Sequence, residues 1–97
     1  MITSRMKRRI RRKMSAERPT IRVGKEGATR KVVDEVSRQL ENREIVKVRI
    51  LKTALKEKSA KYLASKISEQ TDSTLIDLRG HTFILYKPRK GEGEKSL

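Results

Sequence analysis

The spacing of apolar residues changes period several times along this chain, and that constrains the fold more than any other feature. Ile2, Met6, Ile10 and Met14 recur every four residues; on a helix they share one arc, with Arg5, Arg8, Arg9 and Arg12 together on another. Segment 3–16 is therefore predicted to be an amphipathic helix with a densely basic back. Seven of the first fourteen residues are Lys or Arg, so the isolated helix would repel itself and needs a surface for its apolar stripe. Pro19 interrupts any helix and favours extended backbone at Arg18. Thr20-Ile21-Arg22-Val23 reads as a short alternating strand, and a second helix at about 28–42 places Val32, Val33, Val36 and Leu40 on one face. From Glu44 to Leu51 the pattern alternates, with Val46, Val48 and Ile50 pointing one way and Lys47 and Arg49 the other. A third helix, roughly 56–71, is supported by Ala60, Leu63, Ala64 and Ile67. Strands at about 73–79 and 82–87 flank Gly80-His81, which reads as a tight hairpin turn.

The expected order is α-β-α-β-α-β-β, in the α/β class. Strand–helix–strand units favour parallel pairing with right-handed crossovers, and the closing hairpin adds an antiparallel strand. The prediction is a single compact domain over residues 1–90: a four-stranded mixed sheet packed with three helices. Ninety-seven residues suffice for one small core and not for two. Residues 91–97 are polar, with Gly91 and Gly93, and are read as a mobile tail.

Charge narrows the class of partner. The formal net charge is +14, of which residues 1–31 carry +10 and residues 32–97 carry +4. Such a bias speaks to partners rather than fold, and by itself is compatible with RNA, DNA or an anionic membrane. Cysteine is absent, which excludes disulfides, thiolate chemistry and Cys-based zinc sites. No apolar run approaches the roughly 20 residues that span a bilayer. The N-terminus has basic residues without a following apolar region, so it is not read as a signal peptide. The default is a cytoplasmic protein.

Where the first strand ends, two glycines flank two charged residues in Val23-Gly24-Lys25-Glu26-Gly27-Ala28-Thr29-Arg30-Lys31. A helix N-terminus offers unpaired N–H groups and partial positive charge, which suits a phosphate. This helix opens with Arg30 and Lys31, where the dipole favours acids, and an external anion would resolve that misfit.

Three landmarks together resemble the CRM domain family (chloroplast RNA splicing and ribosome maturation) in its free-standing YhbY-like form. They are Val23-Gly24-Lys25-Glu26-Gly27-Ala28-Thr29, Glu44-Ile45-Val46-Lys47-Val48-Arg49-Ile50 and Gly80-His81-Thr82-Phe83-Ile84-Leu85-Tyr86-Lys87-Pro88, in the family's order and spacing. The resemblance covers residues 3 to about 90. It implies an RNA-binding domain whose glycine loop contributes to RNA contact, much as the similar loop of KH domains clamps a nucleic-acid backbone. It further implies a link to precursors of the large ribosomal subunit for free-standing bacterial members, and to organelle intron splicing for multi-domain plant members. Glu26 inside the loop and the arginine-rich first helix are departures from the family's usual pattern.

The expected contacts are Gly24 and Gly27 for close approach of the RNA backbone, with Lys25, Arg30 and Lys31 neutralising phosphates. Gly24 and Gly27 also suit a plain strand-to-helix turn, and Arg30–Asp34 and Lys31–Glu35 also suit helix pairs worth only about 0.2–0.5 kcal/mol. Arg5, Arg8, Arg9 and Arg12 are expected to bind RNA by counterion release, because ordinary solvated faces mix signs and this segment holds no acid before Glu17. Lys47 and Arg49, with Arg22 beside them, are either ordinary exposed positions or a basic platform. Lys87, Arg89 and Lys90 are either an extension of the contact or a solvated end. Phe83 and Tyr86 are assigned to the core or its edge, so no aromatic row stacks successive bases. His81, the only histidine, is assigned to an exposed turn.

The expected function is non-catalytic binding of structured ribosomal RNA during large-subunit assembly. The alternatives are a structural ribonucleoprotein component or an RNA splicing or processing cofactor. An enzyme is disfavoured, since one histidine and no cysteine make no nucleophile–base set and no Gly-Lys-Ser/Thr motif is present. A membrane-surface role is disfavoured because the apolar side of the first helix carries no aromatic anchor. No cofactor, metal or small-molecule substrate is expected, and the domain is expected to act as a monomer.

Overall fold

A computed structural model of the chain describes residues 2–88. Eight elements follow in order: α1 (Ser4–Met14), β1 (Ile21–Val23), α2 (Arg30–Arg43), β2 (Ile45–Ile50), a 3₁₀ turn (Lys52–Leu55), α3 (Ala60–Gln70), β3 (Thr74–Arg79) and β4 (Thr82–Tyr86). The strands form one sheet in the order β1-β2-β4-β3, with β1 parallel to β2 and the other pairs antiparallel. This is the mixed four-stranded sheet with three helices that the sequence predicts.

Each helix begins at a hydroxyl. Thr3 accepts from the Met6 N–H, Thr29 from the Val32 N–H and Ser59 from the Tyr62 N–H, at 3.1, 3.2 and 3.0 Å. Such N-caps satisfy backbone donors that have no partner inside the helix. They also explain a difference from the sequence reading: α3 starts at Ala60 rather than near residue 56. Residues 52–55 instead form a separate 3₁₀ turn that buries Ala54.

Alternation decides which face of the sheet holds the core. Val46, Val48 and Ile50 of β2 and Phe83 and Leu85 of β4 are buried with Val23, Val36, Leu40, Leu63, Ala64 and Ile67, beneath α2 and α3. Complete burial of a side chain such as Phe83 or Leu40 stabilises by roughly 1.5–3 kcal/mol. On the opposite face a smaller cluster forms, in which Ile10 and Met14 of α1 pack against Ile76 and Ile84, with Ile2, Ile45 and Tyr86 around them. The apolar stripe of α1 thus finds the surface it needs. A bulge in β3 serves this face: Leu75 pairs with Leu85 and Asp77 with Ile84, leaving Ile76 as the extra residue that fills the second cluster. Gly80, at φ +61, makes the turn between β3 and β4.

Candidate nucleic-acid interface

The glycine loop is closed by its own hydrogen bonds. The Gly27 N–H donates to Gly24 O and the Thr29 N–H to Gly27 O, both at 2.9 Å, so Lys25 and Glu26 form an exposed corner. Thr29 then holds the first turn of α2 through its side chain (to Val32 N–H) and its carbonyl (from Val33 N–H). Among the described residues, the N–H groups of Lys25, Glu26, Ala28, Arg30 and Lys31 have no partner. These donors, at a helix N-terminus, are the ones an anion could take.

The two glycines have different reasons to be there. Gly27 sits at φ +75, a conformation that L side chains rarely adopt. Gly24 has no such constraint, and a Cβ built on it meets nothing within 4 Å. The fold therefore requires glycine at position 27 and not at position 24. A small residue at 24 keeps the groove beside it open. That groove, about 610 Å³, runs between β1 and the start of α2, and Arg22, Gly24, Lys25, Gly27 and Lys31 are on its wall, with Glu26 and Glu35 the acids facing it.

Of the two helix pairs that the spacing in α2 also suits, one is present. Arg30 and Asp34 approach to 4.0 Å, both highly exposed. Glu35 does not pair with Lys31; its carboxylate takes Arg38 and the amide of Gln39 (2.9 Å), and these bonds, that of Arg38 foremost, hold its pKa below the usual value. Lys31, on the groove wall, consequently has no ion-pair partner among the described residues. Arg30 faces a different depression, shared with Ala28, Val33 and Gln70, so the structure separates it from Lys25 and Lys31.

Arg5, Arg8, Arg9 and Arg12 are all exposed on the back of α1 and, like Arg11 and Lys13, make no ion pair among the described residues. Two lysines beyond α1 behave otherwise. The Lys47 ammonium donates to Met14 O at 2.8 Å and Glu17 O at 2.9 Å, where it caps the C-terminus of α1. The Lys87 ammonium donates to Thr71 O at 3.0 Å, at the end of α3. Of the pair expected on the sheet face, only Arg49 keeps an uncommitted cation, and Lys47 has an internal role instead. Arg89, Lys90 and the expected tail at 91–97 lie outside the described residues.

Phe83 is fully buried, Tyr86 edges the second cluster and His81 is exposed in its turn, as the sequence suggests. Tyr62 escaped that reading: it is 45% exposed on the first turn of α3, with the Lys58 ammonium 4.7 Å from its ring centroid. Its place among the apolar residues of α3 hides it in the helical pattern. Among the described residues no helix is long and apolar enough to cross a membrane, and no group of three or more His, Asp or Glu could hold a metal ion.

Comparison with known proteins places this geometry among relatives. The model of the CRS1/YhbY (CRM) domain matches residues 2–87. A probable RNA-binding protein of Methanocaldococcus jannaschii is 38% identical over 90 residues, which span 93% of this chain and 66% of that protein. The probable RNA-binding protein YqeI of Bacillus subtilis is 31% identical over 90 residues, spanning 93% of this chain and 92% of the relative. The solution structure of the hypothetical protein SAV1595 from Staphylococcus aureus superposes with a TM-score of 0.76 at 32% identity, covering 93% of this chain and 92% of that one.

Proposed function

The chain belongs to the CRS1/YhbY (CRM) domain family, and on that premise we propose that it is a non-catalytic RNA-binding protein that grips structured ribosomal RNA during large-subunit assembly. Two of its relatives bear names as probable RNA-binding proteins. The observation that carries the loop mechanism is Gly24. Nothing in the fold demands glycine there, yet it stands at the mouth of a groove with free N–H groups and the unpaired cations of Lys25 and Lys31. RNA backbone approaches over Gly24, loop amides and cations take its phosphates, and the exposed arginines of α1 add a sequence-independent term by counterion release. The protein acts as a monomer in the cytoplasm.

The test has two arms. In-cell UV crosslinking followed by sequencing of the recovered RNA should concentrate reads in unprocessed large-subunit ribosomal RNA. Reads scattered by abundance, or no enrichment over a charge-matched control protein, would end the ribosomal assignment. Gly24→Leu should fold with unchanged thermal midpoint and bind that RNA more weakly; unchanged affinity would sink the loop mechanism alone.

A further inference from the structure

The two basic elements singled out by the sequence do not share a groove. The loop groove is walled by β1 and the start of α2. Arg11 and Ser15, at the end of α1, line a separate cleft of about 260 Å³ with Lys47, Asp77, Arg79 and Thr82. Between the two lies one end of the sheet, beyond the part that α1 covers with Ile10 and Met14 over Ile76 and Ile84.

Strand register shows what occupies that end. Arg22 of β1 is the partner of Arg49 of β2, Arg49 of Thr82 of β4, and Thr82 of Arg79 of β3. Three guanidinium groups and one hydroxyl thus cross all four strands in a single row. With strands about 4.8 Å apart, Arg22 and Arg79 are separated by roughly 14 Å of backbone. All three arginines are exposed, and none of their guanidinium groups has a hydrogen bond or ion pair within the described residues.

Sheet stability does not account for the Arg22–Arg49 pair, because like charges directly opposite on neighbouring strands are destabilising, whereas Thr82 stands between Arg49 and Arg79. Protection of sheet edges accounts for Arg22 and Arg79, since β1 and β3 are the edge strands. It does not account for Arg49, whose strand has a neighbour on each side. Asp77 is the acid in the cleft and pairs with none of the cations there.

We propose that Arg22, Arg49 and Arg79 form a phosphate track that carries an RNA strand across the end of the sheet, from the glycine-loop groove to Arg11 and the basic back of α1. Both ends of the row are joined to what they connect: Arg22 is on the wall of the loop groove, and Arg79 is on the wall of the cleft with Arg11. Thr82 adds a neutral hydrogen-bond donor for phosphate oxygen. The inference rests on the RNA-binding reading above and adds the path of the strand. It also removes Lys47 from that path, since its ammonium is held by two carbonyls.

The experiment is fluorescence anisotropy with fluorescein-labelled uridine oligomers of about 4 to about 16 nucleotides, the range of site sizes for small single-strand binders. Wild-type affinity should rise with length as one strand comes to engage loop, row and helix. Arg49→Thr places a good strand former at an exposed position. It should weaken binding of the longest oligomer, leave the shortest unchanged, and flatten the log–log salt slope by about 0.7. Its deficit against wild type would then shrink roughly 2.5-fold between about 50 and about 200 mM salt. Arg49→Lys should restore the slope, and the Arg49→Thr midpoint should not fall, because a like-charge contact is relieved. Arg79→Thr at the far edge gives an independent reading should Arg49→Thr fold poorly. Wild-type affinity and slope in both variants would overturn the track, as would equal losses on short and long oligomers. Absence of binding by the wild-type protein to every oligomer would overturn the track as a path for a single strand, while the in-cell crosslinking above tests the RNA reading separately.

Discussion

Replacing Lys47 by Met tests how the basic helix is held to the domain. The stem keeps its place, because Met is of similar length, while the ammonium that bonds Met14 O at 2.8 Å and Glu17 O at 2.9 Å is lost. A hydrogen bond from a charged group contributes about 1.5–3 kcal/mol net, and a cation at a helix C-terminus about 0.3–1 kcal/mol. Glu17 is exposed, so water can take over its carbonyl, whereas Met14 is buried and its carbonyl is the costlier loss. Lys47 is itself half-buried, which places the total near the low end, about 2 kcal/mol. In a domain of this size 1 kcal/mol moves the midpoint by about 4–8 °C, so a cooperative loss lowers Tm by about 8–16 °C. If α1 opens on its own instead, hydrogen exchange in Ser4–Met14 should accelerate about 30-fold while α2 and α3 keep their protection. Thermal denaturation and exchange by NMR read the two cases. A Lys47→Met variant with native midpoint and native protection of α1, but weakened RNA binding, would refute the capping role and return Lys47 to the interface.

Gly27→Ala should cost about 1–2 kcal/mol in urea unfolding, because position 27 has φ +75, whereas Gly24→Ala should be neutral or stabilising by about 0.4–1 kcal/mol. Ile10→Ala should destabilise by about 2–3 kcal/mol through the small cluster under α1, and RNA affinity should fall with it as the basic helix undocks. Glu35 has a depressed pKa in the folded state, held down first by the bond from Arg38, so its contribution to stability is present above the ordinary Glu value and is lost as pH falls through the folded-state value. Carboxyl NMR titration should show that depression, and Arg38→Ala should move the titration back toward the ordinary value.

How much of this was legible in the sequence differs by kind of signal. The alternation of Val46, Val48 and Ile50 located β2 and its buried face, and the four-residue spacing of Ile2, Met6, Ile10 and Met14 located α1 and its docking stripe. The helix starts were less legible. Ser59 caps α3, yet a serine among Glu57, Lys58 and Ala60 looks like the interior of a polar helical turn until its hydroxyl is seen to accept from the Tyr62 N–H. The loop's place between strand and helix was also readable, but the different demands on Gly24 and Gly27 depend on backbone dihedrals and surrounding space.

Apolar periodicity is a local property, set by the geometry of helix and strand, and it survives in the order of residues; by it the sequence alone determined the element order and the three-helix, four-stranded class, while the three motif landmarks carried the resemblance to the family. Partners of long polar side chains are not local. Lys47 and Lys87 look as free as Arg49 in the sequence, but strand placement brings their ammonium groups to carbonyls 33, 30 and 16 residues away. Spacing in the sequence also suits a Lys31–Glu35 pair, but the Glu35 carboxylate reaches Arg38 and Gln39 instead. Arg22, Arg49 and Arg79 fall in one row only once register across four strands is set, and register is decided by tertiary packing of the buried face.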